Sequence, residues 1–410
     1  MSRKTLLVVG AGAEQVPVIQ QARKMGLFVV ASDINPRAVG FKYANANFIA
    51  STYDPLQTVK EAIFFNRKHR KIKGVMTVAS DVPLTVAKVA SALNLPGNSV
   101  ETATIAQDKL LMKETFRKYG VPIPWFLKIK NFLHLKSVVA QRGFPLVMKP
   151  IDSRGARGVL LLTKGVNLEW AYQESRANSP TNRVMVEEFL EGQQISTESL
   201  LYDGFSITPG IADRNYELLD KYEPYMIENG GELPSTLAEA DQMAIKKIAE
   251  TAASTIGITR NSAKGDMVFT KGGPKVIEIA ARLSGGYYST HEIPLNTGVD
   301  IVKAVIRMSL GETIELKSFI PKYKNVLVQR YFFPSPGFVS KIVGEKELRN
   351  LSYVKLFRLY IKAGDLVKQI RNHTERAGVV TVMGSNRKDA YEKMRFVLKT
   401  LKIITTSKHG

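Results

Sequence analysis

The chain is 410 residues long, carries a formal net charge of +21 and contains no cysteine. That length suggests roughly two to three domains, each able to bury its own core. The lack of cysteine excludes disulfides, cysteine-ligated zinc and thiol nucleophiles. No apolar run approaches the roughly 20 residues that span a bilayer, and the polar start MSRKT leads straight into a strand, so a soluble cytoplasmic protein with no membrane partner is expected. Residues 320–410 hold 19 Lys+Arg against 6 Asp+Glu. This basic tail has no recognised nucleic-acid motif and no aromatic stacking signature, so its charge reads as a solvated surface or as steering toward an anionic substrate.

From the N-terminus, Leu6 to Val9 reads as a short apolar strand, followed by Gly10-Ala11-Gly12, a helix near Glu14 to Met25 and a second strand from Leu27 to Ser32 ending at Asp33. A βαβ unit with an acidic residue after its second strand is the outline of a dinucleotide fingerprint, although Gln15 stands where the third glycine belongs. A further strand, Gly74 to Val78, ends at Ser80-Asp81, and a helix over Val82 to Leu93 leads to an exit at Leu95-Pro96-Gly97-Asn98. This stretch is expected to form a small parallel-sheet domain over 1–97.

Next comes a helical patch, Val100 to Gln107, then Asp108-Lys109 and a helix from Leu110 to Tyr119 that stops at Gly120-Val121-Pro122. The strand Pro145 to Lys149 opens onto IDSRGARG, and a second strand follows over Val159 to Thr163. A glycine-bearing loop between two antiparallel strands, with Lys149 at its root, can fold over phosphates and offer backbone N–H groups, or it can be a mobile hairpin loop. Val184 to Val186 is a third strand, running into Glu187-Glu188-Phe189-Leu190 and then into Ile195 to Tyr202.

The stretch Gly265 to Gly286, GDMVFTKGGPKVIEIAARLSGG, reads as a β-hairpin with charge on one face. Alternation places Val276, Glu278, Ala280 and Arg282 on one face of its second arm and Ile277 and Ile279 on the core face. For Asp266 to oppose Glu278, an odd loop of about three or five residues is expected around Lys271 to Pro274. Two converging carboxylates, then Arg282, Ser284, Gly285 and Gly286, suit metal ions and phosphate, the alternative being an exposed ion-pair strand.

In order and spacing, four of these motifs resemble the ATP-grasp superfamily over nearly the whole chain. Asp108-Lys109 resembles its DK pair, VMKPIDSRGARGV its nucleotide lysine and glycine-rich lid, VEEFLEG its adenine hinge, and the hairpin its metal strands and catalytic arginine. The resemblance implies an α/β architecture with α+β elements: an N-terminal Rossmann-like pre-grasp domain, split ATP-grasp lobes over 98–319 (lid about 125–186, metal and catalytic part about 187–319) and a C-terminal α+β domain over 320–410. That last domain looks like the one in the carbamoyl-phosphate-synthase and amino-acid-ligase branch.

Carried over residue by residue, the resemblance implies ATP phosphates on Lys109, Lys149, Gly155 and Gly158, adenine and ribose on Glu187, Glu188, Phe189 and Leu190, and Mg²⁺ on Asp266 and Glu278. Arg282 and Lys149 take the catalytic roles. Arg214 is a candidate carboxylate clamp, since its planar fork matches a carboxylate at two points; Ser284, Gly285 and His291 are further substrate candidates, although a lone histidine beside a helix start is more often a satisfied structural group. Where the family usually has Asn-Pro-Arg, this chain has Ala280-Ala281-Arg282, which removes a ligand to the second metal. Water replaces that ligand, the ion binds weakly, or the protein is a regulatory relative with little activity.

The activity implied is ADP-forming ligation of a small carboxylate to an amine, compatible with a homodimer. The alternatives are a bicarbonate-activating or carbamoyl-phosphate-type enzyme within the fold, and a dinucleotide oxidoreductase or a nucleic-acid-binding protein outside it.

Overall fold

The computed structural model describes residues 3–407, so the first two residues of the opening MSRKT and the last three of the basic tail lie outside the described residues. The chain divides into two compact units. One runs through Ile123 and takes in Ser196–Ile211 and Leu237–Tyr323; the other holds Pro124–Ile195, Ala212–Thr236 and the chain from Lys324.

The first unit opens with a four-stranded parallel sheet in the order Ala46–Ile49, Phe28–Asp33, Thr5–Val9, Ile72–Met76. Every residue of Thr5–Val9 is buried, as expected for a strand covered on both faces. Gly10 turns the chain at φ +99°, and the helix Val16–Lys24 follows. The buried Gln15 folds back into this turn, donating to Val78 O at 2.6 Å and accepting from Gly12 N at 2.8 Å. Asp33 accepts from Ala11 N at 2.9 Å. The polar groups of Gln15 and Asp33 thus bond within the turn itself.

Ser99 and Asp108 cap the helices Val100–Gln107 and Lys109–Lys118, accepting from Thr102 N and Leu111 N at 2.9 Å each. The hairpin Arg260–Thr270 and Gly273–Ala280 follows the helix Glu239–Thr255. Its turn corrects the expected odd loop: Thr270 pairs with Gly273, so only Lys271 and Gly272 are unpaired. The odd residue sits inside the ladder instead. Met267 opposes Val276 while Asp266 opposes Glu278, leaving Ile277 as a bulge. Because a bulge reverses the alternation beyond it, Val276 and Ile279 are both fully buried while Ile277 is partly exposed, which corrects the face expected for Val276 and Ile277.

In the second unit, Phe126–Ile129, Val184–Glu188, Leu146–Pro150 and Leu160–Leu162 form an antiparallel sheet in that order. Its core includes Leu135, Val138 and Val139 of the helix Phe132–Arg142 and Ala171 and Tyr172 of the helix Leu168–Ala177. Further on, Gly231–Leu233 pairs with Val326–Tyr331, which pairs with Gly378–Gly384, which pairs with Val354–Leu359. Ala390, Met394 and Val397 of the helix Arg387–Thr400 share a core with Val380 and Val382.

The loop after Leu146–Pro150 has three demands for left-handed backbone, at Gly155 (φ +63°), Ala156 (+61°) and Gly158 (+69°). A Cβ on Gly158 would lie 2.8 Å from Asn178 Cβ and 2.9 Å from Pro150 Cγ. Gly158→Ala is therefore expected to cost about 1–3 kcal/mol, from strain and crowding together. Gly165→Ala, with nothing within 4 Å of the new atom, is expected to be near neutral. Urea denaturation of both variants checks this, and equal midpoints would refute it.

Candidate active site

The first unit gathers Lys109, Asp266, Glu278, Arg282, Ser284, Gly285 and His291, and the second holds Lys149, Gly155, Gly158, Glu187 to Leu190 and Arg214.

In the first unit, the bulge places Glu278 directly across from Asp266. Lys109 Nζ lies 3.0 Å from Glu278 Oε1, and Lys264 pairs with Asp266. Two carboxylates that each hold an ammonium already sit in a cation-seeking arrangement. Among the described residues no group of three or more His, Asp or Glu forms a closed metal cage. An open pair of carboxylates fits Mg²⁺, which binds through one or two carboxylates and completes its shell with phosphate oxygens and water. Ala280 offers no third donor and is buried.

Arg282 is held by a residue that the motif reading passed over. Its Nε and Nη2 donate to Asp81 Oδ1 at 2.7 and 2.5 Å, and its Nη1 donates to Leu283 O at 3.1 Å. Burial alone would raise the Asp81 carboxyl, but Arg282 and Lys109 hold it below the usual carboxylate range. Burial would likewise lower the Arg282 guanidinium, and Asp81 keeps it above its ordinary value.

The chain beyond Arg282 is bound to two more acids. Ser284 N donates to Glu198 Oε2 at 3.0 Å, Ser289 Oγ donates to the same oxygen at 2.5 Å, and Gly286 N donates to Glu14 Oε2 at 2.9 Å. Glu198 is fully buried and its Oε1 has no hydrogen-bond partner; burial pushes its carboxyl up against the pull of the two serines. His291 Nδ1 lies 2.9 Å from Thr290 Oγ1, and its ring packs edge-on against Tyr287.

In the second unit, Lys149 Nζ and Glu187 Oε2 form an almost fully buried ion pair at 2.7 Å. Lys149 opposes Met185 and Val147 opposes Glu187, so the two charged residues are diagonal neighbours on one face of the sheet. Glu188 accepts from Trp125 N at 3.1 Å, and Leu190 is buried after the strand ends. Gly155 O accepts from His373 N at 3.0 Å, so the segment at 373 is fastened to the glycine loop.

Arg214 is engaged with Glu228 Oε2 at 2.7 Å. Arg376 Nη2 donates to Glu228 O at 2.6 Å and stacks over Tyr331 at 3.8 Å from the ring centre. Glu228, which burial would raise, is brought down to about 2 by Arg214 and Arg376. His373 accepts from Glu228 N at 3.4 Å; burial, then Arg376, pushes its imidazole down to about 3. Sequence reasoning missed Glu228, His373 and Arg376 as one cluster because three chain segments assemble it. Asp81 had a signal: it follows the C-terminal end of a parallel strand, where α/β domains place functional groups.

The chain is thus an α/β protein whose hairpin opposes two carboxylates and is followed by an arginine held on an acid. Residues 106–286 match the ATP-grasp domain, and residues 330–406 match the L-amino acid ligase C-terminal domain 2. An uncharacterized protein of Sinorhizobium fredii, y4rH, is 22% identical over 78% of this chain, which spans 65% of that relative. The formate-dependent phosphoribosylglycinamide formyltransferase of Saccharolobus solfataricus is 25% identical over 96% of this chain and 95% of its own length. The crystal structure of an L-amino acid ligase from Bacillus licheniformis superposes with a TM-score of 0.81 at 21% identity, covering 99% of this chain and 100% of the other. Over residues 106–286 the chain is thus similar to the ATP-grasp family.

The Glu228 cluster sets a pH dependence. His373 stays neutral in the fold down to about pH 3, whereas an unfolded histidine takes up its proton near pH 6.5. The unfolded state binds more protons in that window, so this contribution to stability is complete above pH 6.5 and is lost as pH falls toward 3. Glu228 acts in the same direction between its ordinary value of 4.5 and about 2. By pH 5.5 the histidine contribution is expected to be on the order of 1 kcal/mol, a few degrees of Tm. Thermal melts from pH 7.5 to 5 check this. The slope should flatten in His373→Gln, and an unchanged slope would refute the assignment.

Proposed function

We propose that the protein is an ADP-forming, Mg²⁺-dependent ligase that joins a small carboxylate to an amine. What most supports the reading is the register of the hairpin, in which Asp266 opposes Glu278 two residues before the buried pair Ala280-Ala281 and four before Arg282.

In this reading a substrate carboxylate oxygen attacks the γ-phosphorus of ATP, the bond to the bridging oxygen breaks and ADP leaves. The amine then attacks the carbonyl carbon of the acyl phosphate, phosphate departs and the nitrogen gives up a proton. Phosphoryl transfer asks a protein mainly for positioning and charge neutralisation. Asp266 and Glu278 would hold Mg²⁺, which when bound offsets charge on the phosphate oxygens. Lys109, once drawn off Glu278, would meet phosphate, and Arg282 would meet the charge that develops on the transferring group. In the second unit, Lys149 and the loop with Gly155 and Gly158 carry the proposed phosphate contacts, Glu187 to Leu190 the adenine and ribose contacts, and Arg214 the carboxylate clamp.

The C-terminal match favours amino acids as substrates over bicarbonate, because the matched domain is described for L-amino acid ligases. The small-molecule partners belong to this proposal, as does a cytoplasmic setting; no helix among the described residues is long and apolar enough to cross a membrane.

Two measurements test the proposal. Mg-ATP should raise the melting temperature and NADH should not, since a ligand selective for the folded state stabilises it by mass action. In a screen of amino and hydroxy acids read by ADP release, Arg282→Ala should lower kcat by roughly 10²-fold or more while changing ATP binding much less. Turnover with undiminished kcat in Arg282→Ala would remove that residue from the mechanism.

A further inference from the structure

Arg282 and Asp81 stand 201 positions apart in the sequence. Their meeting is not left to two side chains. Asp81 follows the parallel strand Ile72–Met76, and the chain between is bound to the far side of Arg282: Val78 forms a parallel bridge with Leu283, and Ala79 N donates to Leu283 O at 3.1 Å. Ala79 takes a left-handed backbone, φ +62°, to make this approach. A Cβ on Gly285 would lie 3.0 Å from Ala79 Cβ and 2.7 Å from Glu14 Oε2, so the arginine loop fits against the N-terminal α/β domain only because position 285 has no side chain. On its other side, Glu198 fixes Ser284 and Ser289.

Arg282 has five N–H groups. Two are taken by Asp81 and one by Leu283 O. Two remain, and because Asp81 pins the Nε edge of the planar fork, their direction is set before any substrate arrives.

We propose, on the basis of the ligase reading, that Asp81 is a positioning residue for phosphoryl transfer: it acts only through Arg282, aiming the free N–H groups of that guanidinium at the transferring phosphoryl group. The N-terminal domain thereby supplies a part of the phosphate site. A positioning carboxylate lowers the barrier without binding substrate, so its loss should appear in kcat and not in the KM for ATP.

A double-mutant cycle tests this. Asp81→Asn keeps the shape and removes the charge; it is expected to lower kcat by roughly 10- to 100-fold, the range seen when an orienting partner is lost, with the KM for ATP changed less than about threefold. In an Arg282→Ala background the same substitution should change kcat by less than about twofold, because residues that act as one unit are non-additive. Full kcat in Asp81→Asn, or effects that multiply in the double variant, would overturn the proposal.

If wild-type protein releases no ADP with any acid, the ligase reading fails separately. The same cycle is then read on the Kd for Mg-ADP with aluminium fluoride, where non-additive weakening keeps the assignment and additive weakening or no binding overturns it. Should Asp81→Asn fail to fold, ¹⁵N-arginine NMR of the wild type decides, since a pinned guanidinium gives an exchange-protected Arg282 Nε–H signal and a mobile one does not.

Discussion

A two-residue turn at Lys271-Gly272 gives the hairpin a register in which Asp266 would face Ile277, and only the bulge at Ile277 brings Glu278 opposite Asp266. The constraint is geometric. Side chains alternate with a period of two, so one extra residue in one arm moves every later side chain to the other face. Beyond the bulge, Ile279 takes the core and Glu278 is released to meet Lys109; before it, Val276 keeps the core that alternation alone would have denied it. Arg282 lies past the end of that arm, in a bend where its backbone N–H donates to Ala280 O at 2.9 Å.

The second theme is that four cations of the candidate site rest on carboxylates. Lys109 rests on Glu278, Lys149 on Glu187, Arg214 on Glu228 and Arg282 on Asp81, all in buried or half-buried surroundings. Burying a lone charge costs several kcal/mol, whereas a hydrogen-bonded pair recovers most of that cost. Within each unit, internal carboxylates hold these cations in place. The pairs differ in what they can yield. Lys149 and Glu187 are almost fully enclosed, while Glu278 and Asp81 retain partial exposure through which an ion can approach.

How much of this could be read from the residues follows from range. The helix caps at Ser99 and Asp108, the strand carrying Lys149 and the glycine loop are local, and each depends on neighbours within a few positions. The opposition of Asp266 and Glu278 was legible from the spacing of function, but not the means: an odd loop and an even turn with a bulge satisfy the same count, and Gly272 and Gly273 permit either. Asp81, Glu198 and Glu14 were out of reach as partners of the arginine loop, because no periodicity ties position 282 to positions 81, 198 or 14. Gln15 is instructive in the other direction. Read as a missing glycine, it weakened a fingerprint; in the fold its amide ties the first turn to Val78 of the neighbouring chain segment.

The N-terminal sheet, then, is more than a relic attached to a catalytic domain. Its first turn is closed by Gln15 and Asp33, which accept from Gly12 N and Ala11 N. Its fourth strand runs out into Val78, Ala79 and Asp81, which grip the loop carrying Arg282 by backbone and side chain. A parallel sheet delivers loops at the C-terminal ends of its strands because every crossover returns the chain to the same edge, and that edge is where such domains act. Here the same edge that serves nucleotides in other doubly wound sheets serves an arginine. The architecture is kept, and what binds at its rim is part of the protein itself.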